Sequence, residues 1–276
     1  MAGPQLKKIF CVIDPTTNNQ RALTRAASVA RNSGAEIHAH LCFSVPSGVR
    51  ANDRDSLREA EQSRHEAWLE RLVAPLTSEG LTVTTEVESE EDWRAALIEA
   101  AKRIKADLIV RSSFRRSALQ RRVLKTTDWA LLREAHCPVL LVKTDRVGKL
   151  EKVLVSLDIK DKDEAHKKLT DLLIDHARSI AERSNAELHA VNAYQGSMNF
   201  VHPPDLAKRV GIERSQAHVG DGSPEAIIAN VVEKLGSPLV VMGSLARKGV
   251  SGIVVGNTAE RILDDINADV MVVVKR

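Results

Sequence analysis

The chain has 276 residues, of which 43% are hydrophobic and 28% are charged, a balance typical of globular proteins with one or two domains. Forty basic residues nearly cancel 37 acidic ones and only 3% are aromatic, so neither charge nor base stacking indicates a nucleic-acid partner. No apolar run approaches the ~20 residues that cross a bilayer, so we expect no membrane insertion. The three cysteines form no CxxC pair and the N-terminus shows no signal-peptide pattern, which together predict a cytoplasmic protein.

The first half of the chain alternates apolar runs typical of buried strands with apolar stripes at helical spacing. A strand over residues 9–13 ends at Asp14, and the helix that follows it stops at Gly34. A second strand leads into a long helix, predicted to cover residues 55–76. Two further strands and two helices come before the last apolar run, 139–142.

The second half of the chain repeats this order. Asp158 ends its first strand as Asp14 does in the first half, and Leu239 corresponds to Leu108, 131 residues earlier (239 − 108). Strands that alternate with helices imply a mainly parallel sheet with helices on both faces. The duplication therefore predicts an α/β protein of two tandem, doubly wound, open parallel-sheet domains, Rossmann-like and with five strands each.

The boundary between the two domains is predicted from a polar segment that contains a glycine, residues 144–149. We assign the first domain to residues 1–146 and the second to residues 147–276. Each domain is then of ordinary size, since single domains are commonly about 100–150 residues long.

The two halves differ in the connection between their second and third strands. Where the first half has room for the long helix, the second has only residues 194–210, interrupted by two prolines. An uncovered sheet face would be costly in water, so we expect an interface or a cleft bordered by Met198, Phe200 and Val201. This expectation leaves open a homodimer and a carrier of a non-nucleotide, lipid-like ligand.

A loop after the fourth strand of the second half contains residue types suited to binding a phosphate. In open α/β sheets ligands bind beyond the carboxyl ends of the strands, where a helix N-terminus attracts anions. Glycines let the backbone approach a phosphate, asparagine and threonine can cap the helix, and basic residues add positive charge. The candidate ligands are Met242, Gly243, Ala246, Arg247, Lys248, Gly256, Asn257 and Thr258.

This layout resembles the universal stress protein family, whose ATP-binding members carry Gly, two residues, Gly, nine residues, Gly and then Ser or Thr. Gly243 and Gly256 match the first and last glycines of that motif. Ala246 replaces the middle glycine, and Asn257 stands at the Ser/Thr position. The resemblance covers nearly the whole chain and implies a stress-response protein that binds an adenine nucleotide.

Further segments, 127–129, 131–133 and 256–260, resemble the tandem E-type members of this family. The resemblance places the base and ribose near Asp158 and near Val191 in the second strand. A carboxylate at the end of a strand can accept hydrogen bonds from ribose hydroxyls, which agrees with this placement. Two purely structural alternatives are that Asp158 caps the next helix and that the glycines only form turns.

The first half has lost the motif, because Ser112, Arg115, Lys125 and Thr126 stand where the family has Gly, Gly, Gly and Ser. A lysine in place of a glycine crowds a phosphate site and disfavours left-handed backbone. We therefore expect a single ATP site, in the second half. The basic residues of this degenerate loop are interpreted as a solvated surface rather than a nucleic-acid site.

Catalytic and metal sites are not predicted. His38 and His40 share a strand face, but no carboxylate or cysteine stands at ligand spacing in the sequence, so a metal pair is disfavoured. No nucleophile elbow, Walker loop or paired-carboxylate motif occurs, so binding and action through partners are predicted rather than turnover. Slow ATP hydrolysis is the enzymatic alternative, and neither the partners nor a metal accompanying the nucleotide can be named.

Overall fold

The computed structural model describes residues 6–46, 48, 50–113, 127–145, 148–160, 163–245, 247–249, 252–254, 262–263 and 266–275, with side chains omitted at 51, 127–130, 245, 247–249, 252–254 and 275. Contacts divide the described residues into two compact units. One comprises Leu6–Ser113 and Glu134–Val142, and the other contains the described part of 114–133 and of 143–276. The predicted boundary at 146 and 147 lies outside the described residues and stays a prediction. No helix among those described combines the length and the apolar character that spanning a bilayer requires.

The first half forms a parallel sheet with the order β3-β2-β1-β4-β5. Its strands are β1 (Lys8–Ile13), β2 (Glu36–Phe43), β3 (Val83–Ser89), β4 (Leu108–Ser112) and β5 (Val139–Val142). Its helices are α1 (Arg21–Ser33), α2 (Ala51–Ser78), α3 (Trp93–Arg103) and α4 (Thr127–Glu134). Five parallel strands with helical crossovers confirm the predicted doubly wound α/β class.

The second half forms an equivalent parallel sheet with the order β8-β7-β6-β9-β12. Its strands are β6 (Lys152–Ser156), β7 (Glu187–Tyr194), β8 (Ala217–Asp221), β9 (Leu239–Leu245) and β12 (Val270–Lys275). Its described helices are α5 (Glu164–Ser184), α6 (Pro203–Val210) and α7 (Pro224–Leu235). Two short strands, β10 (Arg247–Gly249) and β11 (Gly252–Val254), pair as an antiparallel hairpin within the segment that the sequence predicts to be a loop.

Helix ends follow local chemistry. The predicted stripe of α1 is buried, and Gly34 ends the helix with a left-handed φ of 72°. In α7, Ser223 accepts a hydrogen bond from the N–H of Ala226, and Pro224 occupies the first turn, where a missing N–H costs nothing. Residue type thus sets where these helices begin and end.

The predicted long helix is confirmed as α2, which extends beyond residues 55–76 at both ends. Its apolar residues Leu57, Trp68 and Leu72 are only half-buried, and Ala60 is exposed. The buried side chains are instead His65, Leu69 and Val73, four residues apart along one side of the helix. The apolar residues of α2 are spread around the helix, so its sequence did not reveal which side faces the sheet.

The short connection of the second half covers its sheet, contrary to expectation. Leu206, Ala207 and Val210 of α6 are buried and pack on β7 and β8. Of the residues predicted to border an interface or cleft, Val201 is buried, whereas Met198 and Phe200 are exposed. The two turns of α6 are enough to cover this part of the sheet, because the apolar residues of the helix lie on one side. The argument for an uncovered face was therefore wrong, and a homodimer stays an untested prediction.

Candidate functional site

Four of the predicted ligand residues meet at one edge of the second sheet. Strand β6 lies between β7 and β9, and all three run parallel. Val191 in β7 is the strand partner of the last residue of β6, and Asp158 follows two residues later. Met242 and Gly243 directly follow the β9 residue that pairs with the penultimate residue of β6. The structure thus brings Asp158, Val191, Met242 and Gly243 to the carboxyl edge, where doubly wound sheets bind ligands.

Asp158 is an exposed residue in the turn between β6 and α5. Its Oδ1 accepts a hydrogen bond of 3.2 Å from the backbone N–H of Lys160. The cap of α5 is a different residue, because Oδ1 of Asp163 accepts the N–H of His166 at 2.9 Å. The alternative that Asp158 only caps the next helix is therefore wrong, and its side chain is exposed to solvent.

Asn192 is a site residue that sequence reasoning missed. This buried side chain accepts the backbone N–H of Ile159 at 3.1 Å and donates from Nδ2 to the carbonyl oxygen of Ala193 at 3.2 Å. It thereby ties the turn that follows Asp158 to the end of β7. The available signal was a lone amide in an otherwise apolar strand segment, since buried polar groups are almost always hydrogen-bonded.

Val191 lies inside β7 rather than at its end. Its side chain is buried, and its carbonyl oxygen accepts the N–H of Leu157 at 3.0 Å. The strand continues to Tyr194, which is half-buried. The predicted role of Val191 beside a base thus depends on the backbone near the carboxyl edge and not on its side chain.

Gly243 lies in close contact with helix α5. A Cβ at this position would lie 2.8 Å from Cδ2 of Leu169 and 2.9 Å from Cδ1 of Leu173, both in α5. Atoms this close would overlap, so the absence of a side chain lets α5 pack on β9. Gly243 lies within β9, so the alternative that it only forms a turn is wrong, and its close packing against α5 is a structural role beside any contact with a ligand.

The remaining predicted ligands are only partly described. Arg247 and Lys248 lie in β10, which follows β9 directly at the same edge, and only their backbone is described. Ala246, Gly256, Asn257 and Thr258 lie outside the described residues. Their contact with a phosphate stays a prediction.

The corresponding edge of the first half is built differently. Ser112, which matches Gly243, is buried, and its Oγ accepts the N–H of Ala22 in α1 at 3.1 Å. Arg115, Lys125 and Thr126 lie outside the described part of the chain. A cavity of about 290 Å³ opens beside the turn after β1, and it is lined by Pro15, Thr16, Thr17, Asn18, Arg64, His65 and Trp68.

Two doubly wound parallel α/β sheets in one chain define a tandem protein of the Rossmann-like α/β class. The model of the Universal stress protein family matches residues 5–143 and 203–274, which is more than half of the sequence. The chain belongs to the universal stress protein family.

Similar proteins share the tandem organisation. Universal stress protein E of Escherichia coli K12 is 25% identical over 97% of this chain and 93% of its own length. The crystal structure of PA1789 from Pseudomonas aeruginosa PAO1, described as functionally unknown, has a TM-score of 0.78 and 28% identity and covers 98% of this chain and 92% of its own. A universal stress protein from Archaeoglobus fulgidus, 16% identical, shares the fold with a TM-score of 0.73 over 97% of this chain and 96% of its own. The predicted E-type tandem organisation is confirmed.

Proposed function

We propose that this universal stress protein binds ATP in its second half and acts in the cytoplasm through partner proteins rather than by turnover. One observation supports the site: Asp158, Val191 and Gly243 all lie at the carboxyl edge of the second sheet. The loop from 246 to 258 starts from the same edge and carries the family's glycine motif in altered form. Membership of the family supports a role in the stress response. The residues at the carboxyl edge and the glycine motif together support ATP as the ligand.

The chemistry of the edge suits an adenine nucleotide. The exposed carboxylate of Asp158 can accept hydrogen bonds from ribose hydroxyls, and Asn192 holds the turn that carries it. Backbone N–H groups beyond β9 and the basic pair Arg247 and Lys248 would meet the phosphates, in the way that anions bind at strand–loop–helix junctions. A lysine in place of Gly256, as at the matching position Lys125 of the first half, would crowd a phosphate there.

Isothermal titration calorimetry with ATP tests this proposal, and we expect one site per chain. Gly256→Lys copies the residue at the matching first-half position and should abolish binding, because a long side chain fills the space of the phosphate. The matched control, Lys125→Gly, should bind ATP as the wild type does.

Two equal sites in the wild type, or normal ATP binding by Gly256→Lys, would contradict the assignment to the second half. The same samples analysed for ADP formation separate binding from slow hydrolysis. Native mass spectrometry of protein purified without added nucleotide then identifies the bound species, and a lipid-like mass in place of a nucleotide would overturn the proposal.

A further inference from the structure

Two histidines of β2 and a glutamate of β3 form a cluster on one face of the first sheet. His38 and His40 are two residues apart, so their side chains lie on the same face, and Glu86 is the strand partner of His40. Oε2 of Glu86 lies 2.9 Å from Nε2 of His38 and 3.4 Å from Nδ1 of His40. The three residues offer ligand atoms that all lie within 4.8 Å of one another. Sequence spacing missed the carboxylate because it comes from the next strand.

The other nitrogen of each ring faces an oxygen. Nδ1 of His38 lies 2.9 Å from the hydroxyl oxygen of Thr84, and Nε2 of His40 lies 3.4 Å from Oε2 of Glu88. Histidines that bind a metal through one nitrogen usually donate the N–H of the other to a carboxylate, carbonyl or hydroxyl group, which fixes the tautomer. The His38 ring has this arrangement, whereas the other nitrogen of His40 lies near a carboxylate oxygen without a hydrogen bond to it.

Two atoms of the cluster are unsatisfied in the described structure. Nε2 of His40 and Oε2 of Glu88 are buried, and neither forms a hydrogen bond with any described residue. Buried polar atoms without partners are rare, so each calls for an explanation. A cation on Nδ1 would place the single proton of His40 on Nε2, which could then donate it to Glu88. Metal binding would thus favour the tautomer in which these two atoms can pair.

We propose that His38, His40 and Glu86 bind a divalent transition-metal ion of the Zn²⁺ type, with water completing its coordination. Two imidazoles and one carboxylate suit zinc, whereas magnesium and calcium prefer oxygen ligands. Tetrahedral coordination at about 2.0–2.1 Å separates ligand atoms by about 3.3 Å, close to the two distances measured here. The site belongs to the half that lacks the phosphate motif, so it is independent of ATP binding.

The carboxylate of the ligand set is held by a salt bridge from a neighbouring element. Arg103 binds Oε1 of Glu86 and leaves Oε2 directed at the histidines, although its positive charge opposes the cation.

The second half provides a matched control at the same strand positions. His189 corresponds to His38, Val191 to His40, and His218 pairs with Val191 as Glu86 pairs with His40. Nδ1 of His189 lies 3.2 Å from Nε2 of His218, but Glu187 faces the other nitrogen of His189. Two nitrogens without a converging carboxylate make a far weaker zinc site than three ligands.

The test uses the full chain stripped of metal with a chelator and titrated with Zn²⁺ against a chromophoric competitor. We expect one tightly bound Zn²⁺ per chain, and at least tenfold weaker binding by both Glu86→Gln and His38→Gln. His189→Gln should bind zinc as the wild type does. Absorption by Co²⁺ in place of Zn²⁺ should show four-coordinate bands in the wild type and in His189→Gln, and lose them in Glu86→Gln.

Circular dichroism establishes that each variant is folded, and His38 is partly exposed, so its replacement keeps the test usable if Glu86→Gln proves unstable. Absence of stoichiometric zinc binding by the wild type at micromolar concentration would overturn the proposal. So would unchanged affinity in His38→Gln, or an equal loss in His189→Gln, since either result places the metal elsewhere.

Discussion

The two halves share one fold but use the end of the fourth strand differently. In the first half, the hydroxyl of Ser112 accepts a hydrogen bond from the start of α1. In the second half, Gly243 stands at the matching position and lets Leu169 and Leu173 of α5 approach the strand. A helix can thus be anchored to the same strand position by a hydrogen bond or by close packing. A glycine there is not by itself a sign of a ligand.

The halves also differ in how they hold the turn that carries the first-strand aspartate. In the first half, Nε2 of Gln20 donates to the carbonyl oxygens of Asp14 and Thr17, each at 2.6 Å. In the second half, Asn192 of the neighbouring strand accepts the N–H of Ile159. A buried amide supports the turn in both cases, but it comes from a different element.

Replacement of Gly243 should have the largest effect on stability. Gly243→Val places methyl groups where Leu169 and Leu173 already lie, and we expect the free energy of unfolding to fall by about 2–3 kcal/mol. Urea denaturation measures the loss. In a Leu169→Ala background the same substitution should cost less, because the smaller side chain leaves room. Equal costs in both backgrounds would contradict the packing explanation.

The two turn-holding amides should differ in function but not in stability. Gln20→Ala and Asn192→Ala each remove buried hydrogen bonds, so each should lower the free energy of unfolding by about 1–3 kcal/mol. Only Asn192→Ala should weaken ATP binding, because it supports the turn of Asp158. Calorimetry with both variants checks this, and weaker ATP binding in Gln20→Ala would move the site to the first half.

The smallest effect concerns His218, whose pKa is lowered by burial and by the charges of His189 and Lys234. The unfolded chain takes up a proton on this histidine near pH 6.5, whereas the folded protein resists it to lower pH. The free energy of unfolding should therefore fall as pH drops below about 6.5, and less steeply in His218→Gln. Urea denaturation at a series of pH values, with a chelator present, measures both slopes. Identical slopes would exclude this contribution of His218.

Much of the architecture could be predicted from local patterns. Apolar runs indicated the strands. The recurrence of an aspartate after the first strand of each half, Asp14 and Asp158, indicated the duplication. Helix ends such as Gly34 followed from residue type. The packed side of α2 could not be predicted, because its apolar residues surround the helix. The sequence analysis also did not predict that α6 covers part of the second sheet, since a two-turn helix is too short to show a clear hydrophobic periodicity.

The sequence by itself determined the fold class, the tandem repeat and the loop in which a phosphate motif survives, because all three depend on residues close together in the chain. Only the tertiary structure placed Glu86 beside His40, 46 residues away, and Asn192 beside the turn of Asp158. Those contacts depend on the register between parallel strands, and each strand is joined to the next by a helical crossover. No local periodicity encodes that register, since it is decided by how each helix packs on the sheet.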